Sequence, residues 1–541
     1  MQNTPLKPSD RRSSSTKAST AQCRAARSPI VWLTVFVLLV GVRSLCPAAL
    51  ATEQTTLRPS LATGSLPAPN GWAIVRIPLP PAAADHYLQI SIRDGRGGPR
   101  WVCTVTPPAT SALIALPYVQ PSTLPPAQWP VTIGVRRIGK PWILQAAAIS
   151  LPQPSSASTF IIAIPHRLQQ HLPTIAAWLQ ELQPAHAMAM ALLLSRQHLY
   201  SASPLVLAGC KAVVITRRIA HDMSPKRLAA LLCADVHFYY WGRNPPAWPM
   251  GPSWRLIHSE DSPSGHQIWE LGKGLTCIPP PTLINAKLAD WHIGAPHAPG
   301  RWFWPVILYI PTMLLLLWAA TLLTTQPIKR VAAFAVLTAL TTLAAGGWLA
   351  ATARPASTRM AWTTTCASAR LRLIQQYDLL NPIRPASIRR TTAQGLPPLP
   401  LVITAQDYFN LHATITLSRS SGTLRMHLAA APALIYLRRA AAAGIQPPMP
   451  TIGTIKSWRQ AMRRAHWKLH RTYFISRGHV FNALYASGLS FGLWCSHLPP
   501  KLSHTMALWF RTAWRLNHLY VIELPPQHGT AIDILDYGSQ K

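Results

Sequence analysis

Short runs that alternate apolar and polar residues fill the early part of the chain. Trp72-Ala73-Ile74-Val75-Arg76-Ile77, Tyr87-Leu88-Gln89-Ile90-Ser91-Ile92 and Val131-Thr132-Ile133-Gly134-Val135 repeat with the period of two expected of half-buried strands. Turn residues separate them at intervals, which predicts a β-sandwich over 71–152. Asp94-Gly95-Arg96-Gly97-Gly98 joins two such runs and opens no helix, so it reads as a hairpin turn and not as a phosphate loop.

Beyond a Pro/Ser joint at 152–157 the period changes. Phe160–Ile164, Lys211–Thr216 and Val236–Trp241 are compact apolar runs of strand length. Between them, Ile175, Trp178, Leu179 and Leu182 share one helical face, and Ser224-Pro225 opens a second helix striped with Leu228, Leu231 and Leu232. A hydroxyl followed by proline is a helix start because the side chain caps a free N–H and proline gives up none. Strands alternating with helices predict an α/β doubly wound domain over 158–295.

Two uncharged runs follow, Trp302 to Ile328 and Val331 to Ala353, separated by Lys329 and Arg330. Each matches the roughly 20 apolar residues that span a bilayer as a helix. The reading is a two-helix transmembrane hairpin over 302–353. A basic leader (Lys7, Arg11, Arg12, Lys17, Arg24, Arg27), an apolar stretch from Pro29 to Val42 and Ala49-Leu50-Ala51 have the layout of a signal peptide over 1–51. A linker at 52–70 comes next. Together these place the chain in a bacterial cytoplasmic (inner) membrane with its large domains periplasmic, and with the two-cation turn inside.

Residues 354–541 return to strand-like runs and predict a C-terminal β-rich domain. One helix-like segment, Ile455 to about Leu469, interrupts it. That segment concentrates Lys456, Arg459, Arg463, Arg464, Lys468 and Arg471 beside Trp458 and Trp467. Cations next to tryptophans suit a polyanion or an anionic lipid surface; tryptophans packed on the β domain would make the same pattern a solvated outer face. His466 and His470 stand four apart on this segment, a spacing that can chelate zinc, but the neighbouring cations oppose it.

The formal net charge of +35 points to an anionic partner. The arginines are dispersed along the chain, however, and favour scattered surface cations over one dense patch. Expected partners are membrane lipid, a protein of the cell envelope and an anionic polymer, with nucleic acid disfavoured by the exported location. Cys103, Cys210, Cys233, Cys277, Cys366 and Cys495 show no CxxC or zinc-like spacing. No Gly-x-Ser-x-Gly elbow, Walker loop or dinucleotide fingerprint is present, and the acidic residues nominate no catalytic pair. Glu260-Asp261 with His258 and His266 reads as a solvated loop.

Leu207-Ala208-Gly209-Cys210-Lys211-Ala212-Val213-Val214-Ile215, then Met223-Ser224-Pro225-Lys226-Arg227-Leu228 and Glu270-Leu271-Gly272-Lys273-Gly274-Leu275, resemble segments of bacterial membrane-anchored proteins with a class I glutamine amidotransferase-like domain. The resemblance covers roughly 158–355. It implies an amidotransferase-like scaffold lacking the machinery, because no Gly-x-Cys-x-Gly elbow exists and Cys210 precedes its strand. The expectation is a non-catalytic integral membrane envelope protein that binds or scaffolds, with no catalytic, cofactor or metal residues assigned. The alternatives are a hydrolase or amidotransferase-like enzyme with an unrecognised site in the α/β domain, and polyanion or anionic-lipid binding through the basic helix.

Overall fold

The alternating runs become strands of four sheets. In the computed structural model, residues 57–63, 71–79, 86–120, 127–152, 159–180, 188–210, 212–247, 254–259, 267–271, 283–284, 311–322, 326–352, 356–366, 371–382, 385–428, 432–442, 455–464, 466–482, 488–526 and 529–539 are described. The expected signal peptide at 1–51, Glu260, Asp261 and His266, the closing segment 272–275 and the start of the first apolar run at 302–310 lie outside them. Thr56–Lys541 forms one unit.

A six-stranded sheet holds the α/β part. Its order is Trp254–Ser259, Gln267–Leu271, Phe238–Trp241, Ala212–Ile215, Thr159–Pro165, Met188–Leu194. The last four run parallel, and the first two are antiparallel additions. Alternate residues serve opposite faces: Val213 and Ile215 join the main core, whereas Ala212 and Val214 pack with Ile175 and Leu179 of the helix Leu172–Gln180. Burial on both faces explains why these strands read as unbroken apolar runs.

The architecture differs from the one read off the sequence in two ways. The first is that the β-sandwich and the C-terminal β domain are not separate units. A seven-stranded sheet runs Ala386–Ala393, Ser421–Leu428, Ala413–Leu417, Gly97–Val105, Leu88–Asp94, Gln128–Arg137, Ile143–Ser150. It therefore mixes strands more than 300 residues apart. The join is a parallel pairing in which Thr414 faces Arg100 and Leu417 faces Cys103. Gly97 and Gly98 make it possible: both have positive φ, and a Cβ at Gly97 would stand 2.4 Å from the Phe409 carbonyl oxygen. The absent side chains let the short helix Ala405–Phe409, started by a Thr404/Asp407 capping box, settle on the hairpin and deliver the next strand alongside. The rest of the C-terminal region forms a nine-stranded sheet built around Leu371–Asn381 and Ala356–Cys366.

The second correction concerns the membrane. Among the described residues no helix is both long and apolar enough to cross a bilayer. The transmembrane hairpin over 302–353, and with it the inner-membrane location and the transmembrane description, are not supported. The first apolar run is helical over 311–322. The second lies in the helix Pro327–Thr352, which carries Lys329 and Arg330 in its first turn and Thr338, Thr341 and Thr342 farther on. The Thr341 hydroxyl turns back to donate to the Leu337 carbonyl at 2.9 Å.

The sheets are held by buried polar contacts as well as by apolar ones. Arg227, 3 % exposed, reaches from the helix Pro225–Cys233 to donate to the carbonyls of Leu199 and Arg419. Burial pushes its guanidinium down to about 9, with a smaller contribution from Arg419, so it stays charged at neutral pH. Asp378 of the nine-stranded sheet is 2 % exposed. It meets Arg359 at 3.1 Å and, across the sheet boundary, Arg390 at 3.3 Å.

Candidate anion-binding site

The seven-stranded sheet has one buried and one open face. Ile90, Ile92, Trp101, Ile133, Ile415, Leu424 and Met426 point inward. Strand alternation then sends the intervening residues outward. Four of these are arginines, and the register puts them in one cross-strand band. Arg389 opposes Arg425, Arg425 opposes Thr414, and Thr414 opposes Arg100. Arg93 follows on the next strand, at a bulge between Ile92 and Asp94, where its Nε donates to the Gly98 carbonyl at 2.9 Å.

These residues line an open cleft of about 530 Å³, with His412, His427 and Ser387 along one side. The Ser387 hydroxyl and His427 Nδ1 lie 3.2 Å apart. Like charges directly opposite on adjacent strands are destabilising by about 0.2–1 kcal/mol per pair. The chain nonetheless places Arg389 against Arg425. Among the described residues none of Arg93, Arg100, Arg389 and Arg425 forms an ion pair. The nearest carboxylate on the same hairpin, Asp94, is spent on Arg96 at 2.8 Å and on the Trp129 indole N–H at 2.8 Å. The result is a cationic cleft whose counter-charge must come from outside the described chain. All four cations are arginines, whose planar fork pairs two oxygens of a carboxylate, sulfate or phosphate at once.

The basic segment singled out in the sequence is a different surface. The helix covers Ile455–Arg464. His466 stops it at φ 61°, where His466 N–H donates to Arg463 and Trp467 N–H to Met462. This is the paired closing pattern of a left-handed cap, completed by an apolar contact between Trp467 and the buried Met462. His466 and His470 therefore do not share a helix face, and Trp467 packs inward with Val521 and Leu535. Arg463, Arg464 and Lys468 are exposed, and burial and Asp533 raise the pKa of Glu523 nearby, with Arg471, Lys468 and His470 offsetting only part of that rise.

No family model, curated protein or solved structure matches this chain. Assignment of a role therefore rests on its own geometry.

That geometry gives Cys210 and Cys233 no nucleophilic role. Cys210 sits one turn before the strand Ala212–Ile215, 2 % exposed, with its thiol donating to the Val206 carbonyl at 3.8 Å. Cys233 is fully buried at the end of its helix and donates to the Gln394 carbonyl at 3.7 Å. Burial pushes both thiols up to about 12, and the reactive species is the thiolate. At pH 8 the native protein should leave Cys210 and Cys233 unmodified by a thiol-specific chromogenic disulfide, and unfolding in guanidinium should release both. Stoichiometric labelling of either before unfolding would contradict this burial.

Besides Ser387 and His427 in the cleft, serine and histidine meet at Ser111, His198 and Ser195. Ser195 Oγ lies 3.0 Å from His198 Nδ1, and Ser111 Oγ lies 3.5 Å from His198 Nε2. Ser195 is engaged as the cap of the helix Arg196–Ser201, and Nε2 also faces the Ser111 carbonyl at 3.1 Å. The adjoining cleft holds about 30 Å³, room for roughly one water. Among the described residues no carboxylate pairs with His198.

Proposed function

We propose that this chain is a non-catalytic binding protein that holds an anionic ligand on the open face of its seven-stranded sheet. One observation carries the reading: four arginines from four strands converge on one cleft with no ion-pair partner among the described residues. Stability alone disfavours such an arrangement, so it is accounted for by a ligand that supplies the missing charge. The buried Cys210 and Cys233 thiols, and His198 with no carboxylate partner among the described residues, support binding over turnover.

Purified protein titrated with heparin or polygalacturonate should show affinity that falls linearly in log K against log salt. Four neutralised charges imply a slope on the order of 3, taking roughly 0.7 per charge from single-stranded polyanions. A slope near zero, or no binding at low salt, would remove the proposal. The basic segment 455–471 is the internal control: Arg463→Gln with Arg464→Gln should leave the slope unchanged.

A further inference from the structure

We infer, building on the anion-binding reading above, that the ligand is a linear acidic polysaccharide laid across the strands from Arg389 towards Trp142. The span of the site sets the size of the ligand. Strands lie about 4.8 Å apart, so the four intervals from the strand of Arg389 to that of Arg93 cover roughly 19 Å, and Arg136 on the next strand extends this to about 24 Å. Inorganic phosphate or a single sugar acid could reach no more than a neighbouring pair of these guanidiniums. A chain with acidic groups along its length can reach them all.

The far end of the band is a built feature. Gly134 opposes Ser91 on the open face. A Cβ at Gly134 would stand 2.5 Å from Ser91 Oγ and 3.1 Å from Trp142 Cε3. Glycine here lets the indole lie against the sheet. Arg136 sits 4.3 Å and Arg100 6.0 Å from the centre of that indole, and Arg136 Nε also donates to Gln89 at 2.8 Å. The ring thus holds two guanidiniums, one of them in the cleft itself, through cation–π contact. Trp142 orients the cations that meet the acidic groups.

The surface between the cations chooses among polyanions. By register, the outward positions there are Ser387, Thr391, Thr423, Thr414, Thr416 and Thr104, among others. Hydroxyls both donate and accept, which suits the hydroxyl-rich faces of sugar rings. Single-stranded nucleic acid is held by aromatic platforms that stack successive bases. The outward positions of the five strands from Arg389 to Arg93 contain no Phe, Tyr or Trp.

The test is calorimetric titration of the full chain with oligogalacturonates from the monomer to chains longer than about 24 Å, beside single-stranded DNA of matched charge. Affinity should climb with length and level off once the chain covers the band, and the longest oligomer should bind at least tenfold more tightly than the DNA. Trp142→Ala should weaken the longest oligomers about tenfold and leave those too short to reach from Arg389 past Arg93 little changed. Length-independent binding, equal affinity for DNA, or a Trp142→Ala effect that ignores length overturns the polysaccharide inference and leaves the anion-binding reading standing. Absence of binding to every polyanion overturns both.

Discussion

Arg425→Glu should cost roughly 100-fold in affinity for an acidic polymer while making the folded protein more stable. Arg425 sits mid-band, opposed by Arg389 on one side and Thr414 on the other. The introduced carboxylate would pair with Arg389, so two guanidiniums are lost to the ligand at once. Charge-assisted hydrogen bonds contribute about 1.5–3 kcal/mol each. Two at the low end give about 3 kcal/mol, and each 1.4 kcal/mol is tenfold. Replacing a like-charge cross-strand pair by an opposite-charge one should raise unfolding free energy by a few tenths to about 1 kcal/mol. Opposed signs for binding and stability mark a site maintained for its ligand. Arg425→Lys keeps the charge but not the fork and should lose less. Titration with polygalacturonate and urea denaturation of the same preparations measure both; unchanged affinity for Arg425→Glu would sink the assignment of the cleft.

Asp378→Ala should be the most damaging single change to the fold among those considered, at about 3 kcal/mol. Asp378 is almost wholly buried in the nine-stranded sheet, accepts from Gln376 Nε2 at 2.6 Å, and faces both Arg359 and Arg390. Arg390 belongs to the other sheet, one residue from Arg389, and points the opposite way by strand alternation. The ion pair therefore ties the two sheets together directly behind the cationic band. Removing one member of a buried pair leaves an uncompensated charge, a loss of roughly 3–5 kcal/mol. The low end applies because Arg359 and Arg390 reach solvent, at 62 % and 32 % side-chain exposure. Urea denaturation monitored by far-ultraviolet dichroism would report the loss. Loss of polymer affinity in the still-folded fraction would show that the inter-sheet tie also positions Arg389. A change below 1 kcal/mol would mean that Asp378 does not hold the sheets.

Much of the local structure was legible. The strands around Ala212–Ile215 and Phe238–Trp241, the Ser224 cap and the Asp94–Gly98 turn follow from apolar runs, a capping hydroxyl and glycines. The site was not legible, for a definite reason. Arg93 and Arg100 lie in one hairpin, and Arg389 and Arg425 stand roughly 300 residues further along, on two other strands. Cation density along the sequence is highest at 456–471, but there a cap at His466 turns Trp467 inward. A faint signal existed in the outward positions of the alternating strands, where Arg389 and Arg425 stand in threonine- and serine-bearing runs.

The apolar runs at 302–353 teach the complementary lesson. Hydropathy registers composition over a stretch of sequence, and among the described residues no helix is both long and apolar enough to cross a bilayer. The sequence by itself determined which segments alternate, which are wholly apolar and where turns and caps fall, because these depend on neighbours within a few residues. Only the tertiary structure decided that the strand Ala413–Leu417 lies beside Gly97–Val105, since that pairing depends on two glycines accommodating a helix from far along the chain. That pairing, and not any local motif, turns dispersed arginines into one surface.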